Sequence, residues 1–152
     1  MSRLLEPWTL LVVHSSFGLF MCGLIWFVQI VHYPLFEAVG REQFSRYEQL
    51  HVQRVGWVVG PVMLAEAASA IGLLLSWPQE TARPLLWVNL ALLALIWIST
   101  AVWQVPQHEV LRFGFRTEAA HFLVASNWMR TVCWTLRGVI LAWLLLLRPA
   151  AQ

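Results

Sequence analysis

The chain has 152 residues, of which 59% are hydrophobic and ten are tryptophan, and its mean hydropathy is +0.65. This composition excludes a soluble domain, which at this length would be far less apolar. The net charge of +2 comes only from arginine and glutamate, because lysine and aspartate are absent. The basic excess is small and scattered, so no nucleic-acid partner is expected.

Four segments are long enough to cross a lipid bilayer, which takes about 20 apolar residues. They lie at about 8–33, 55–77, 84–105 and 122–147 and leave no room for a second domain. The first is too long for a signal peptide and lacks a cleavage pattern. The sequence therefore predicts an all-α fold, a single four-helix transmembrane bundle, in a multi-pass protein of a bacterial-type plasma (inner) membrane.

The connections between the spans also carry structural signals. Polar and aromatic residues recur at three- and four-residue intervals up to His51, which predicts a short amphipathic helical extension before the second span. We expect this helix to run on into the span, with a kink near Pro61. Pro106 is expected to interrupt the third span, and Gly114 predicts a turn after it.

The arginines in the connections set the expected orientation. Five follow the first and third spans, and three lie on the opposite side, so both large loops are predicted to be cytoplasmic and both termini outside. The first group is Arg41, Arg46, Arg54, Arg112 and Arg116, and the second is Arg3, Arg83 and Arg148. Aromatic residues near the span ends predict an interfacial belt of Trp8, Tyr33, Trp57, Trp77, Trp87 and Trp103.

Each span carries one polar face at 100° per residue, and the rest of its circumference is apolar. Lipid cannot solvate such faces, so we expect them to meet inside the bundle. On span one the face consists of His14, Gly18, Ile25 and His32, with Cys22 and Gln29 at its margin, and before span two it consists of Tyr47, His51 and Arg54, with Glu48 beside them. On span three it consists of Trp97, Gln104 and His108, with Thr100 beside them, and on span four of Asn127, Arg130, Trp134 and Arg137.

Three charged residues lie within the spans themselves. Glu66 is about eleven residues into span two and Arg130 about eight into span four, so they differ in depth by about 5 Å at a rise of 1.5 Å per residue. We predict a central Glu66–Arg130 ion pair, with Arg137 or a water as the competing partner, because a lone charge there would cost far more than a pair. Such residues indicate a functional site, and the alternative is a structural ion pair that fixes helix register.

A histidine-rich cluster is expected at the side where spans one and three end. His32, Glu48, His51 and His108 are candidate metal ligands, and Glu48 and His51 form a Glu-x-x-His pair on one helical turn, as in di-iron bundles. Only one such motif is present, however. Imidazole ligands also suit copper, zinc or haem iron, so the predicted cofactor is a metal ion or a haem. Alternatively, these histidines only form hydrogen bonds to the loops.

A second interpretation needs no metal. Buried histidine and arginine beside tryptophans would line a pocket for a flat, small apolar molecule, where a histidine moves protons and an arginine stabilises negative charge. The candidate catalytic residues are His51, His108, Arg130 and Glu66, and the candidate substrate-binding residues are Trp97, Gln104, Asn127 and Trp134. For any single tryptophan, ordinary packing is the alternative.

A third interpretation is non-enzymatic: a scaffold or accessory subunit with a structural polar core, in which the small residues at 65–70 permit close helix contact. A carrier is less favoured, because four spans rarely enclose a path without forming a homo-oligomer. The leading prediction is a redox or oxygenase-like enzyme that acts on a small apolar molecule, aromatic or quinone-like, and the scaffold is the alternative.

Short motifs at three positions resemble those of a known family. They are Tyr33-Pro34-Leu35 after the first span, Pro106 with Leu111 after the third, and Asn127-Trp128-Met129-Arg130-Thr131 in the fourth. Together they resemble the anthrone-oxygenase-like family of four-span membrane proteins, whose members carry Asn-x-x-Arg-Thr where the fourth span opens. The resemblance implies the four-span fold and, as an activity, oxygenation of polycyclic phenolic ketones.

The chain also departs from that family. The family's Pro-x-Asn motif after the third span is replaced by Pro106-Gln107-His108. The polar residues before the second span, among them Glu48 and His51, are not part of the family pattern. These differences fall on the predicted metal ligands, so the chemistry is expected to differ even where the fold agrees.

Overall fold

The computed structural model describes residues 6–78 and 82–147, and these form four long helices with no strand among them. Helix α1, Pro7–Phe27, continues through a π-helical turn, Val28–His32, and a 3-10 turn, Pro34–Ala38. Helix α2 is Arg41–Ser76. Helix α3, Arg83–Ser99, continues through a π-helical turn, Thr100–Gln104, into α4, Val105–Leu111, and helix α5 is Thr117–Leu146.

All four helical segments are long and apolar enough to cross a membrane. The prediction of an all-α, four-span bundle is therefore confirmed. The predicted amphipathic extension also forms, but it belongs to one unbroken α2 of 36 residues that includes Pro61.

Pro106 was predicted to interrupt the third span, and the regular α-helix does give way to a π-helical turn just before it. The helix continues to Leu111, and Pro106 occupies the first turn of α4 directly after the π-helical turn. A proline is tolerated there because its missing N–H falls where the regular hydrogen-bond ladder is already interrupted. The turn predicted at Gly114 is confirmed, since its φ of +138° is accessible to glycine and strained for other residues.

The core has three layers along the bundle. The layer farthest from the large loops centres on Leu11, Leu73, Trp77, Leu86 and Leu141. The middle layer contains Met21, Ile25, Met63, Ile96 and Trp134, and the loop-side layer contains Tyr33, Phe36, Phe44, Leu111 and Leu123.

The aromatic belt forms only in part. Trp57, Trp87 and Trp103 are exposed on the bundle surface, as a belt requires. Tyr33 and Trp77 were predicted to join them but are buried in the core, with 4% and 2% of their surface exposed. For Tyr33 the reason is polar: its hydroxyl takes part in a buried hydrogen-bond network inside the bundle.

Helix α2 leaves the core over three turns. Between His51 and Met63 none of its residues is buried, although residues on either side of this stretch pack inside. On the facing α3–α4 segment, Trp97 and Val105 are also exposed, by 37% and 51%. The two helices therefore separate here and leave a cleft into the bundle.

Candidate functional site

A cluster of three potential metal ligands lies at the loop side of the bundle. Glu48 and His51 are one turn apart on α2, and His108 lies on α4, so the ligand atoms of the three come within 4.8 Å of one another. Glu48 is fully buried and His51 nearly so. The ring of Phe36 packs edge-on against both histidines, which limits where the imidazoles can turn.

Hydrogen bonds extend from this cluster toward α1. His108 Nδ1 lies 2.5 Å from Glu48 Oε1, and its Nε2 lies 3.0 Å from the Tyr33 hydroxyl. The second carboxylate oxygen, Glu48 Oε2, is buried without a hydrogen-bond partner in the described part of the chain. An unpartnered buried carboxylate oxygen is costly, so an ordered water or a bound ion is expected at this oxygen.

His32 supports this cluster from outside it. Its Nε2 lies 2.9 Å from His51 Nδ1, and the two rings are 4.5 Å apart. The structure therefore brings three of the four predicted metal ligands together and places His32 behind His51. A hydrogen bond from the outer nitrogen of a ligating imidazole to a neighbouring group is usual in metal sites, because it fixes the ring's tautomer and orientation.

The cleft between α2 and α3 opens into a cavity of about 520 Å³ whose walls are mostly apolar. Its inner wall comes from α1 and α5, with Met21, Ile25, Arg130 and Trp134. His51 and His108 both line it, so the cluster borders the cavity directly. A volume of this size suits a small organic ligand.

Three of the four predicted substrate-binding residues line this cavity. They are Trp134 on α5, and Trp97 and Gln104 on the α3 side. Asn127 is fully buried instead and does not belong to the lining. Its Oδ1 accepts hydrogen bonds from Arg130 at 2.9 and 2.6 Å, and its Nδ2 donates to Gln29 at 2.8 Å. Asn127 therefore positions Arg130.

The predicted Glu66–Arg130 ion pair is wrong, and the competing partner Arg137 takes its place. Arg137 Nη1 donates to Glu66 Oε1 at 2.6 Å, and both side chains are fully buried. Trp134 donates its indole N–H to the other oxygen of Glu66, at 3.2 Å. Glu66 does not line the cavity, so the candidate catalytic role for Glu66 has no support in the geometry.

The Glu66–Arg137 pair belongs to a second polar cluster deeper in the bundle. Arg137 also donates to Asn89 Oδ1 at 3.2 Å and lies 3.4 Å from His14 Nε2. His14 Nδ1 in turn lies 2.8 Å from the Ser69 hydroxyl. This cluster ties all four helices together and has the form of a structural network.

Sequence reasoning missed Tyr33 and Asn89 as members of the polar interior. Tyr33 was assigned to the interfacial belt because it ends the first span, although it directly follows His32 on the predicted polar face. Asn89 was available as a signal, since polar side chains are rare within membrane spans. Neither residue was considered when the polar faces were assigned.

No family model matches the chain, and no curated protein and no solved structure matches it significantly. The resemblance to anthrone-oxygenase-like proteins therefore stays a hypothesis based on the short motifs. The support for a function therefore comes from the positions and contacts of the chain's own residues.

Proposed function

We propose that the protein is a metal-dependent membrane enzyme, redox or oxygenase-like, that acts on a small, largely apolar molecule. The metal ion would be held by Glu48, His51 and His108. The substrate would occupy the cavity that these two histidines border, and would enter from the lipid through the cleft between α2 and α3.

The observation that carries the proposal is the contact between the ligand cluster and the cavity. Two imidazoles and one carboxylate are the protein ligands of non-haem iron oxygenases, whose remaining coordination positions stay open for substrate and oxygen. Here His51 and His108 line the cavity, and a carboxylate oxygen of Glu48 lies within 4.8 Å of a ring nitrogen of each histidine. A structural metal site would instead be closed on all sides.

The residues present fit a metal ion. Glu48 Oε2 has no hydrogen-bond partner, and His51 Nε2 makes no hydrogen bond within the described residues, so both are free to bind. His108 would have to release either Glu48 or Tyr33, because both of its ring nitrogens are engaged. Three ligands gathered at one point suit a single ion, whereas haem iron takes one or two axial ligands. We therefore favour an ion over a haem.

Metal binding tests the proposal directly. Full-length protein is purified in detergent, treated with chelator and then supplied with Fe²⁺, Zn²⁺ or Cu²⁺, and bound metal per chain is measured. We expect about one ion per chain, most of it lost in Glu48→Gln, His51→Ala and His108→Ala, because ligands on separate helices act together. His32→Ala should weaken affinity by about 10–100-fold, as loss of a supporting hydrogen bond does.

The matched control for these variants is His121→Ala. His121 is an exposed histidine that pairs with Glu37 at the surface, so its loss should leave the bound metal unchanged. Wild-type protein that binds none of the three ions, or variants that bind as the wild type does, would overturn the metal site.

One observation favours a second function without metal. Glu48, His108 and Tyr33 form a continuous hydrogen-bonded chain from carboxylate through imidazole to phenol. Such a chain orients the imidazole and can move a proton to or from a molecule in the cavity. Metal-free wild type that still turns over an aromatic or quinone-like compound would identify this proton-transfer function. Protein with neither metal nor ligand binding would favour the scaffold subunit.

A further inference from the structure

Two arginines on the inner face of α5 differ in how their charges are compensated. Arg137 is paired with the Glu66 carboxylate in a fully buried contact. Arg130, seven residues earlier, has no carboxylate within 4.0 Å in the described part of the chain, although only 7% of its surface is exposed. Arg130 therefore has no direct ion-pair partner among the described residues inside the bundle, although hydrogen bonds through Tyr33 and His108 connect it to Glu48.

The hydrogen bonds of Arg130 are uneven around its guanidinium. The edge formed by Nε and Nη2 is firmly held, at 2.9 and 2.6 Å from Asn127 Oδ1. The other edge has only long contacts, 3.3 Å from Nη1 to the Thr100 hydroxyl and 3.5 Å from Nη2 to the Tyr33 hydroxyl. A guanidinium carries five N–H donors in a rigid fork, so this weakly bonded edge is free to take stronger acceptors.

The same guanidinium faces the cavity. Arg130, Thr100 and Tyr33 all belong to its lining, so the loosely bonded edge lies at the cavity wall. Of the other charged residues there, Arg54 lies on the exposed stretch of α2, and Glu109 is paired at the surface with Arg112 at 2.9 Å. Arg54 carries the same charge as Arg130, and Glu109 is already paired, so neither forms an ion pair with Arg130. A central arginine is costly on membrane insertion scales, so the lack of a direct ion-pair partner is significant.

We propose that the ligand of this cavity is an apolar molecule that carries one ionised carboxylate, and that Arg130 binds this carboxylate through its Nη1–Nη2 edge. Arginine and carboxylate form two parallel hydrogen bonds in a shared plane, which adds geometric specificity to the attraction of the charges. The apolar walls take the rest of the molecule. This inference rests on the proposed function, in which the cavity binds the substrate, and it narrows the class of ligand to hydrophobic acids.

The proposed subsite also lies close to the metal cluster. Tyr33 connects the two, since its hydroxyl lies 3.5 Å from Arg130 Nη2 and 3.0 Å from His108 Nε2. A carboxylate bound at Arg130 therefore lies beside Tyr33, one hydrogen bond away from His108. Asn127 acts as a positioning residue that holds the guanidinium in this orientation.

The test compares an acid with its neutral analogue of the same shape. Binding of 2-naphthoate and 2-naphthamide to full-length protein in detergent is measured by calorimetry at pH 8, with free ligand corrected for partition into micelles. We expect naphthoate to bind about tenfold more tightly or better, as charge-assisted hydrogen bonds allow. The preference should vanish in Arg130→Gln, shrink in Arg130→Lys, and persist in the control Arg46→Gln, which changes an exposed arginine outside the cavity lining. Dodecanoate against dodecanamide distinguishes a fatty acid from an aromatic acid.

Equal affinity of the wild type for acid and amide, with both pairs of compounds, would overturn the inference without reference to any variant. A preference that survives in Arg130→Gln would also overturn it. All titrations are repeated after chelation and in Glu48→Gln. An acid preference that persists there shows that the carboxylate subsite does not depend on the metal. Wild-type protein that shows the preference but binds none of the three ions keeps the carboxylate subsite and rejects the metal site, whereas metal binding without the preference does the reverse.

Discussion

At the scale of single residues, the two buried arginines of α5 differ in the groups that surround their charges. Arg137 is neutralised by Glu66 and further bonded to Asn89, so it needs nothing from outside the chain. Arg130 is held by neutral oxygens only and borders a cavity. We assign a structural role to the first and a ligand-binding role to the second because their partners differ, although their positions in the sequence look equivalent.

The buried pair should show strong energetic coupling. Glu66→Gln or Arg137→Met alone should destabilise the protein by about 3–5 kcal/mol, because each leaves its partner charged and unpaired in a dry interior. The double variant should lose less than the sum of the two. Unfolding in detergent, followed by circular dichroism, measures the cycle.

The exposed pair Glu109–Arg112 is the control for that cycle. Its side chains are about half exposed, so Glu109→Gln should change stability by less than about 1 kcal/mol. Losses that simply add in the Glu66 and Arg137 variants would show that the buried contact contributes no coupling.

At the scale of helices, the wrong ion pair has a definite cause. The prediction counted depth from the first apolar residue of each span, but α2 begins at Arg41 and α5 at Thr117. Counted from these starts, Glu66 is about 25 residues deep, Arg137 about 20 and Arg130 about 13. At about 1.5 Å per residue, Arg137 is therefore about 7.5 Å from the level of Glu66, and Arg130 is about 18 Å from it. A hydropathy pattern locates only the apolar part of a helix, so depths counted from it leave out the polar turns at the start of the helix.

The same sequence reasoning succeeded for the loop-side cluster. Glu48, His51 and His108 were expected to meet because alternate spans end and begin on one side and because the polar faces of the helices should turn inward, and their ligand atoms lie within 4.8 Å of one another. A pocket beside these residues was also predicted, but the place where it opens was not. It opens where α2 leaves the core between His51 and Met63, a stretch that contains Gly56, Gly60 and Pro61.

Close contact between α1 and α5 depends on Gly18. A Cβ at this position would lie 2.8 Å from Leu141 Cδ1, in a fully buried layer, and 3.5 Å from Glu66 Oε1. Gly18→Ala should therefore destabilise the bundle by about 1–3 kcal/mol, as overpacking does. Gly23→Ala on the same helix meets nothing within 4 Å and should be neutral or stabilising. Melting temperatures of both variants in detergent test this, and equal values would contradict the close approach.

At the scale of the whole molecule, the polar side chains form two separate groups along the bundle. The Glu48–His51–His108 cluster and the arginine-rich connections lie at the side where α1 ends and α2 begins, whereas the Glu66–Arg137 cluster lies deeper, toward the apolar core layer around Leu11 and Leu73. Only the first group borders the cavity within the described residues, so a substrate that enters through the cleft would meet that group. The orientation of the protein decides which side of the membrane this chemistry serves.

That orientation is testable by labelling. In a variant with Cys22 and Cys133 replaced by alanine, single cysteines are introduced at Glu42, Glu118 and Glu6, which are all exposed. The arginine bias predicts that an impermeant maleimide labels position 6 on intact cells, and labels positions 42 and 118 only after permeabilisation. The four-span topology requires positions 42 and 118 to behave alike and position 6 to behave oppositely. The reverse pattern would invert the orientation and place the Glu48–His51–His108 cluster at the outer face, whereas labelling of 6 and 42 from one side would contradict the bundle's topology.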